Sequence, residues 1–182
     1  MSSKGNGFSL IEVMVSLVIL VIGLIGIFNL HIVAKQGSFE SFQQTQASYY
    51  ANDIVNRMRM NPSELSNYEG TYNGGTSAPT KACDVAIGGN SICTNVETRL
   101  WDIYQWEQSF QGENEKYSGA SVGGLDSTTA CIDITGTDVT VVMTWRGIRA
   151  STDGLSEGSA FAKSCGSSND RRRALVINTA IL

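Results

Sequence analysis

The residues able to do chemistry in this chain are few and unevenly spread. A carboxylate, Glu12, stands at the head of an apolar run, followed by sixteen uncharged residues from Val13 to Phe28. An ionisable group in such surroundings costs about 2.5–3.5 kcal/mol on membrane-insertion scales, and it marks a functional position that needs a partner. The single histidine, His31, falls near the far end of the same run, so no Ser-His or Cys-His nucleophile pair can form in the rest of the chain. The patterns G-x-S-x-G, H-E-x-x-H and the phosphate-binding loop do not occur. Asp126, Asp133, Asp138 and Asp153 lack the spacing of a calcium loop. Neither catalysis, nor a cofactor, nor a metal site is expected.

Two other groups carry potential chemistry. Arg171, Arg172 and Arg173, with Arg146 and Arg149, are the basic concentration of the chain. They raise the possibility of gripping DNA, yet 13 Lys and Arg stand against 17 Asp and Glu, for a net charge of -4. That balance gives no general cationic field for phosphates, so nucleic acid is not expected as a partner, and the arginines are read as pairing with local acids such as Asp170. The four cysteines, Cys83, Cys93, Cys131 and Cys165, all follow residue 60. An even count with no C-x-x-C motif argues for disulfides in an oxidising compartment. Three pairings are open. Cys83 with Cys93 and Cys131 with Cys165 is favoured because each pair brackets a loop, and each closure stabilises by about 2–4 kcal/mol.

The elements that must position these residues follow from periodicity. The apolar run continues to Ala34 with only Asn29 and His31 interrupting it after Ser16, and the 22 residues 13–34 form a helix roughly 33 Å long, enough to cross a bilayer. Apolar on all sides, it needs a membrane or a helix bundle around it, which a chain of 182 residues cannot supply alone. No small-residue signal-peptidase site lies between Leu20 and Gln36. Lys4 and the terminal amine keep the short end cytoplasmic and send the bulk of the chain outward.

Beyond Lys35 the pattern becomes amphipathic. Phe39, Phe42, Gln46, Tyr50, Ile54 and Met58 step by three or four, flanked by Ala47, Ala51 and Val55, and Asn61-Pro62 supplies the stop. One helix over 8–60 is predicted, about 80 Å if straight, with its first half projecting. Residues 61–182 form an exported domain with loops at Gly70–Thr80, Gly112–Asp126 and Ala150–Asp170. Between them, Glu97–Phe110 reads as a short helix with Trp101 and Trp106 mostly toward the core. Ala130–Thr135 and Asp138–Arg146 read as a hairpin turned at Gly136-Thr137, and Arg173–Leu182 as a third strand. The expected class is α+β, an antiparallel sheet packed on the second half of the long helix.

The stretch Lys4-Gly5-Asn6-Gly7-Phe8-Ser9-Leu10-Ile11-Glu12-Val13-Met14 resembles the prepilin leader and cleavage site of type IV pilins and related pseudopilins. The resemblance implies a leader of residues 1–7, a cut by prepilin peptidase between Gly7 and Phe8, and methylation of the new Phe8 amine. Glu12 becomes the fifth residue of the mature chain, where it is implied to attract the N-terminal ammonium of a neighbouring subunit. Many major pilins carry a proline in the projecting half of the helix. This chain has Asn29 there, with Gly23 and Gly26 as the weak points.

Further along, Cys93-Thr94, Leu100-Trp101-Asp102 and Trp106, Cys131, Met143-Thr144-Trp145-Arg146-Gly147, and Cys165-Gly166 before Arg171 are together similar to the PilV minor pilins, or type IV pilus modification proteins. That similarity implies a single-pass inner-membrane protein that enters a surface pilus. Its implied partners are other minor pilins, the major pilin, prepilin peptidase, the assembly platform and a tip adhesin, and its implied roles are in priming, twitching motility and adhesion. A pseudopilin of a type II secretion system and a DNA-uptake receptor pilin are the alternatives.

Overall fold

The structure, a computed structural model, describes residues 9–84 and 92–182. Helix α1 covers Leu10–Met60 and is followed by a short 3-10 helix, Pro62–Tyr68, and strand β1, Gly70–Tyr72. Helix α2 covers Asn95–Gln111, and a small hairpin of β2 (Lys116–Tyr117) and β3 (Ala120–Ser121) comes next. Then follow β4 (Thr129–Thr135), β5 (Asp138–Arg146), helix α3 (Ala160–Ser164) and β6 (Arg172–Ala180). The chain divides into two compact units, Met1–Phe39 and Glu40–Leu182.

The second unit is an antiparallel sheet in the order β1-β4-β5-β6, with the later turns of α1 and α2 on one face and α3 on the other. Strand alternation decides the faces. On β5, Val139, Val141, Met143 and Trp145 enter a core shared with Tyr50, Ile54 and Met58 of α1 and Ile103, Trp106 and Phe110 of α2. Val142 points the other way, into a smaller cluster with Cys131, Leu155, Ala162 and Cys165. Both faces of the central strands are therefore covered. The aromatic centre is edge-to-face, Trp106 lying 4.9 Å from Phe110 and 5.6 Å from Tyr72 between ring centroids, the geometry that ring quadrupoles favour.

Local chemistry sets the element ends. Proline at position 62 cannot continue α1, so the backbone tightens into the 3-10 turn, with Glu64 N–H donating to the Asn61 carbonyl at 3.1 Å. Helix α2 starts in a capping box: Thr94 Oγ1 accepts from Glu97 N–H, and the Glu97 carboxylate accepts from Thr94 N–H at 2.8 Å. It ends at Gly112, whose φ of +74° is left-handed and whose missing Cβ leaves room for the Gly123 carbonyl.

Several sequence expectations are corrected. The loop assigned to Gly70–Thr80 begins with β1, and the Gly112–Asp126 loop contains the β2–β3 hairpin. The Ala150–Asp170 loop contains α3, capped by Ser159. Strand β6 ends at Ala180 instead of Leu182, and α2 runs slightly beyond both ends of Glu97–Phe110. Within α1, Phe39 and Phe42 are exposed, and Gln43, one heptad before Tyr50, takes the buried position instead. Gln43 Nε2 meets the Arg146 carbonyl at 3.5 Å, so a polar side chain fits where the sheet's end presents backbone.

Candidate functional site

Glu12 lies in the first turn of α1. Its carbonyl accepts the Ser16 hydroxyl at 2.7 Å, and among the described residues its carboxylate has no ion-pair partner. The candidate cleavage residues Gly7 and Phe8 lie outside the described residues. Behind Glu12 the helix is apolar on every side, with a window of mean hydropathy 2.8 whose side chains are not buried within the protein. Fifteen of the 22 residues 13–34 are Leu, Ile, Val or Phe. At about 0.3–0.6 kcal/mol each near a helix centre, they favour insertion by roughly 5–9 kcal/mol, which outweighs the cost of one ionisable residue at the edge. The α-helix also satisfies its own backbone, as a lipid environment demands.

In the second unit, disulfides join Cys83 to Cys93 and Cys131 to Cys165, each with Cα atoms 5.9 Å apart. The first closes a loop ahead of α2. The second ties β4 to the end of α3 and lies in the smaller apolar cluster, with both cysteines buried.

The arginines do not pair with Asp170. Arg172, itself buried, grips Asp153 with two bonds of 2.8 Å and spends its remaining nitrogen on the carbonyls of Lys163 and Cys165. The guanidinium, joined by the Leu155 N–H and the Ser168 hydroxyl, holds the Asp153 carboxyl well below the usual carboxylate range. Arg149 and Arg173 both reach Glu40 of α1, and the Arg149 bond is the main cause of that carboxyl's lowered pKa. Three of the five basic residues thus have their charge answered locally, which removes most of the motive for a DNA-binding face.

The structure also uses residues that sequence reasoning missed. Glu107, buried on the core face of α2, accepts N–H groups from Gly74 at 2.7 Å and Thr76 at 3.0 Å, so it pins the loop after β1. A charge set among Ile103, Trp106 and Phe110 was the signal for it. Arg57 bridges Asp53 on α1 to Asp102 on α2, and Tyr68 donates to the same Asp102 at 2.8 Å. Trp101 and Trp106, both read as core-facing, differ in fate: Trp106 is wholly buried and Trp101 half-buried.

A long N-terminal helix with an apolar first stretch, its later turns packed on an antiparallel sheet, is a pilin-type α+β fold. The chain matches the prokaryotic N-terminal methylation motif over residues 2–28, a prepilin-type N-terminus of the kind carried by pilus and pseudopilus components. No curated protein and no solved structure matches the chain.

Proposed function

We propose that this protein is a minor pilin of a type IV pilus, of the PilV kind, acting through assembly contacts and not as an enzyme. The observation that carries the reading is the methylation motif over residues 2–28, with Glu12 as the acid heading a stretch of helix that is otherwise uncharged as far as Ala34. In this reading residues 1–7 are the leader, 8–60 the long helix with its membrane half at 13–34, and 61–182 the exported domain. Prepilin peptidase cuts between Gly7 and Phe8 and methylates the Phe8 amine while the protein sits in the inner membrane. The Glu12 carboxylate then draws in the ammonium of a neighbouring subunit. At an effective dielectric near 20 such a pair gains about 4 kcal/mol at 4 Å, enough to set register between helices. Delivered to the fibre, the subunit helps to prime assembly with other minor pilins and connects to a tip adhesin, supporting twitching and adhesion.

Mass spectrometry of fibres sheared from cells tests this. The expected result is a peptide beginning with N-methylated Phe8 in the fibre fraction. Processed protein confined to the inner membrane of piliated cells would instead favour the secretion pseudopilin. Glu12→Ala is expected to be cut normally but to enter fibres poorly, and normal incorporation would contradict the role given to Glu12.

A further inference from the structure

Where β4 begins, β5 ends and β6 begins, the sheet's outer face opens into a cleft of about 510 Å³. That volume is within the range of small-molecule sites, roughly 300–1,000 Å³. Its lining is polar and its charges are of two kinds. Arg146 and Arg171 line it, and among the described residues neither guanidinium has an acid or hydrogen-bond partner. They differ in this from Arg149, Arg172 and Arg173, whose charges are answered by Glu40 and Asp153. Asp170 lines the same cleft, its carboxylate unengaged among the described residues and its backbone carbonyl accepting from the Ser151 N–H. Thr129 and Ser167 also line it, and among the described residues their hydroxyls have no hydrogen-bond partner.

The scaffold behind these groups is rigid. Cys165 is bonded to Cys131 of β4, and Gly166 follows in a left-handed conformation at φ +70°, where a Cβ would run into the Thr144 hydroxyl. Asn169 folds back on itself, its side-chain oxygen accepting from Arg171 N–H at 2.8 Å and its amide donating to the Ser167 carbonyl at 2.9 Å. The segment that presents Ser167, Asp170 and Arg171 is thereby fixed at both ends, since Arg172 is anchored by Asp153.

We infer that this cleft binds an acidic saccharide, its carboxylate held by Arg146 and Arg171 and its ring hydroxyls by Asp170 and the two free hydroxyls. Planar guanidinium forks match a carboxylate, and an ionised Asp accepts only, which suits sugar hydroxyl donors. The same Asp170 repels a phosphate chain, and the neutralised neighbours leave no cationic stripe to follow a nucleic-acid backbone. The site is separate from the helix chemistry of Glu12 and stands whether or not the pilus reading holds.

The test is a titration of the full chain in detergent micelles, followed by backbone amide chemical shifts, with D-glucuronate, D-glucose, acetate, inorganic phosphate and a duplex oligonucleotide as separate probes. Glucuronate is expected to give saturable shifts around Arg146, Asp170 and Arg171 with a Kd of about 0.1–10 mM. Glucose and acetate are expected to bind at least about tenfold more weakly, because each lacks half of the contacts. Arg146→Gln and Arg171→Gln are each expected to weaken glucuronate about tenfold, with Arg146→Lys losing less. Asp170→Asn, which touches no bond of the fold, is expected to weaken glucuronate and strengthen phosphate. The inference is overturned if glucuronate gives no saturable shift, if acetate matches it, if phosphate or the duplex binds more tightly, or if Asp170→Asn leaves it unchanged. Should an arginine variant fail to fold, the Asp170→Asn result decides.

Discussion

The indole Nε1–H of Trp106 donates to the backbone carbonyl of Tyr50 at 2.8 Å, joining α2 to the packed half of α1 at the centre of the core. Tyr50 and Trp106 also both pack near Phe110, so one hydrogen bond and two edge-to-face contacts meet at a single point. Trp106→Ala removes a fully buried side chain and is expected to destabilise the domain by about 3–5 kcal/mol. Trp106→Phe keeps most of the volume and gives up the hydrogen bond, so about 1–2 kcal/mol is expected. Urea unfolding of the full chain in micelles, read by tryptophan fluorescence and far-ultraviolet dichroism, measures both. Equal losses for the two variants would deny the packing argument.

The Arg172–Asp153 pair predicts an acid limb of stability. Asp153 has a folded pKa depressed below its ordinary 3.8, held there chiefly by the Arg172 guanidinium. The unfolded chain therefore takes up that proton first as pH falls. The contribution is complete above the unfolded value and is lost progressively below about pH 4. Glu40, lowered by Arg149 from its ordinary 4.5, adds to the same trend with the same sign. Asp153→Asn is expected to flatten the decline of melting temperature between about pH 5 and pH 2. Asp153→Ala, which strands a buried guanidinium, is expected to cost about 3 kcal/mol at neutral pH. A melting temperature of the Asn variant that falls with acid as steeply as the parent's would refute the assignment.

Legibility in the sequence followed the range of the interactions. Strand β5 was readable because Val139, Val141 and Met143 alternate with their neighbours, and α1 because its apolar run and the Pro62 stop are local signals. Strand β1 was not: its three residues have no period of their own and become a strand only through pairing with Ala130–Ile132. Helix α3 is five residues long, shorter than two turns, and is made by its Ser159 cap and the pull of Ala162 into the smaller cluster. The capping box at Thr94 and Glu97 was present in the sequence as T-x-x-E and went unread. For the site, Glu12 stood out as an isolated charge. The Glu40 clamp did not, because its partners Arg149 and Arg173 lie 109 and 133 residues away. Of the arginines that follow Asp170, Arg172 and Arg173 turn to Asp153 and Glu40, remote in sequence, and Arg171 has no acid partner among the described residues.

Tyr68 and Tyr72 give an alkaline prediction of opposite sense. Burial pushes the Tyr72 phenol up to about 12, and it pushes Tyr68 up further, with the Asp102 carboxylate accepting its proton as a second cause. An ordinary phenol ionises near 10.0. Because the folded values are raised, both groups contribute stability that is complete below about pH 10 and is lost as pH rises toward their folded values. Absorbance near 295 nm is expected to show these two tyrosines ionising only together with loss of the far-ultraviolet signal. Tyr68→Phe is expected to remove one of the late-titrating groups and to leave Asp102 with Arg57 alone. Complete titration of all six tyrosines of the intact fold by pH 10.5 would refute the burial argument.

The two disulfides are expected to differ in weight. Cys83 and Cys93 close ten residues and are half-buried, whereas Cys131 and Cys165 close 34 and are buried in the smaller cluster. Chain-entropy arguments give about 3 kcal/mol for the short loop and about 4 kcal/mol for the long one. The long loop's replacement also loses packing: Cys131→Ala with Cys165→Ala removes sulfur from between Val142 and Leu155, adding about 1 kcal/mol or more. The Cys83→Ser, Cys93→Ser variant is thus expected to fold with a lower melting temperature. The Cys131→Ala, Cys165→Ala variant is expected to lose more, and to lose the fixed Gly166–Arg171 segment first, since Cys165 is the covalent anchor beside it. Hydrogen exchange at the amides of Arg171 and Arg172, faster in the second variant and unchanged in the first, is the measurement. The reverse order would show that the cap of α2, and not the sheet's outer face, depends on its disulfide.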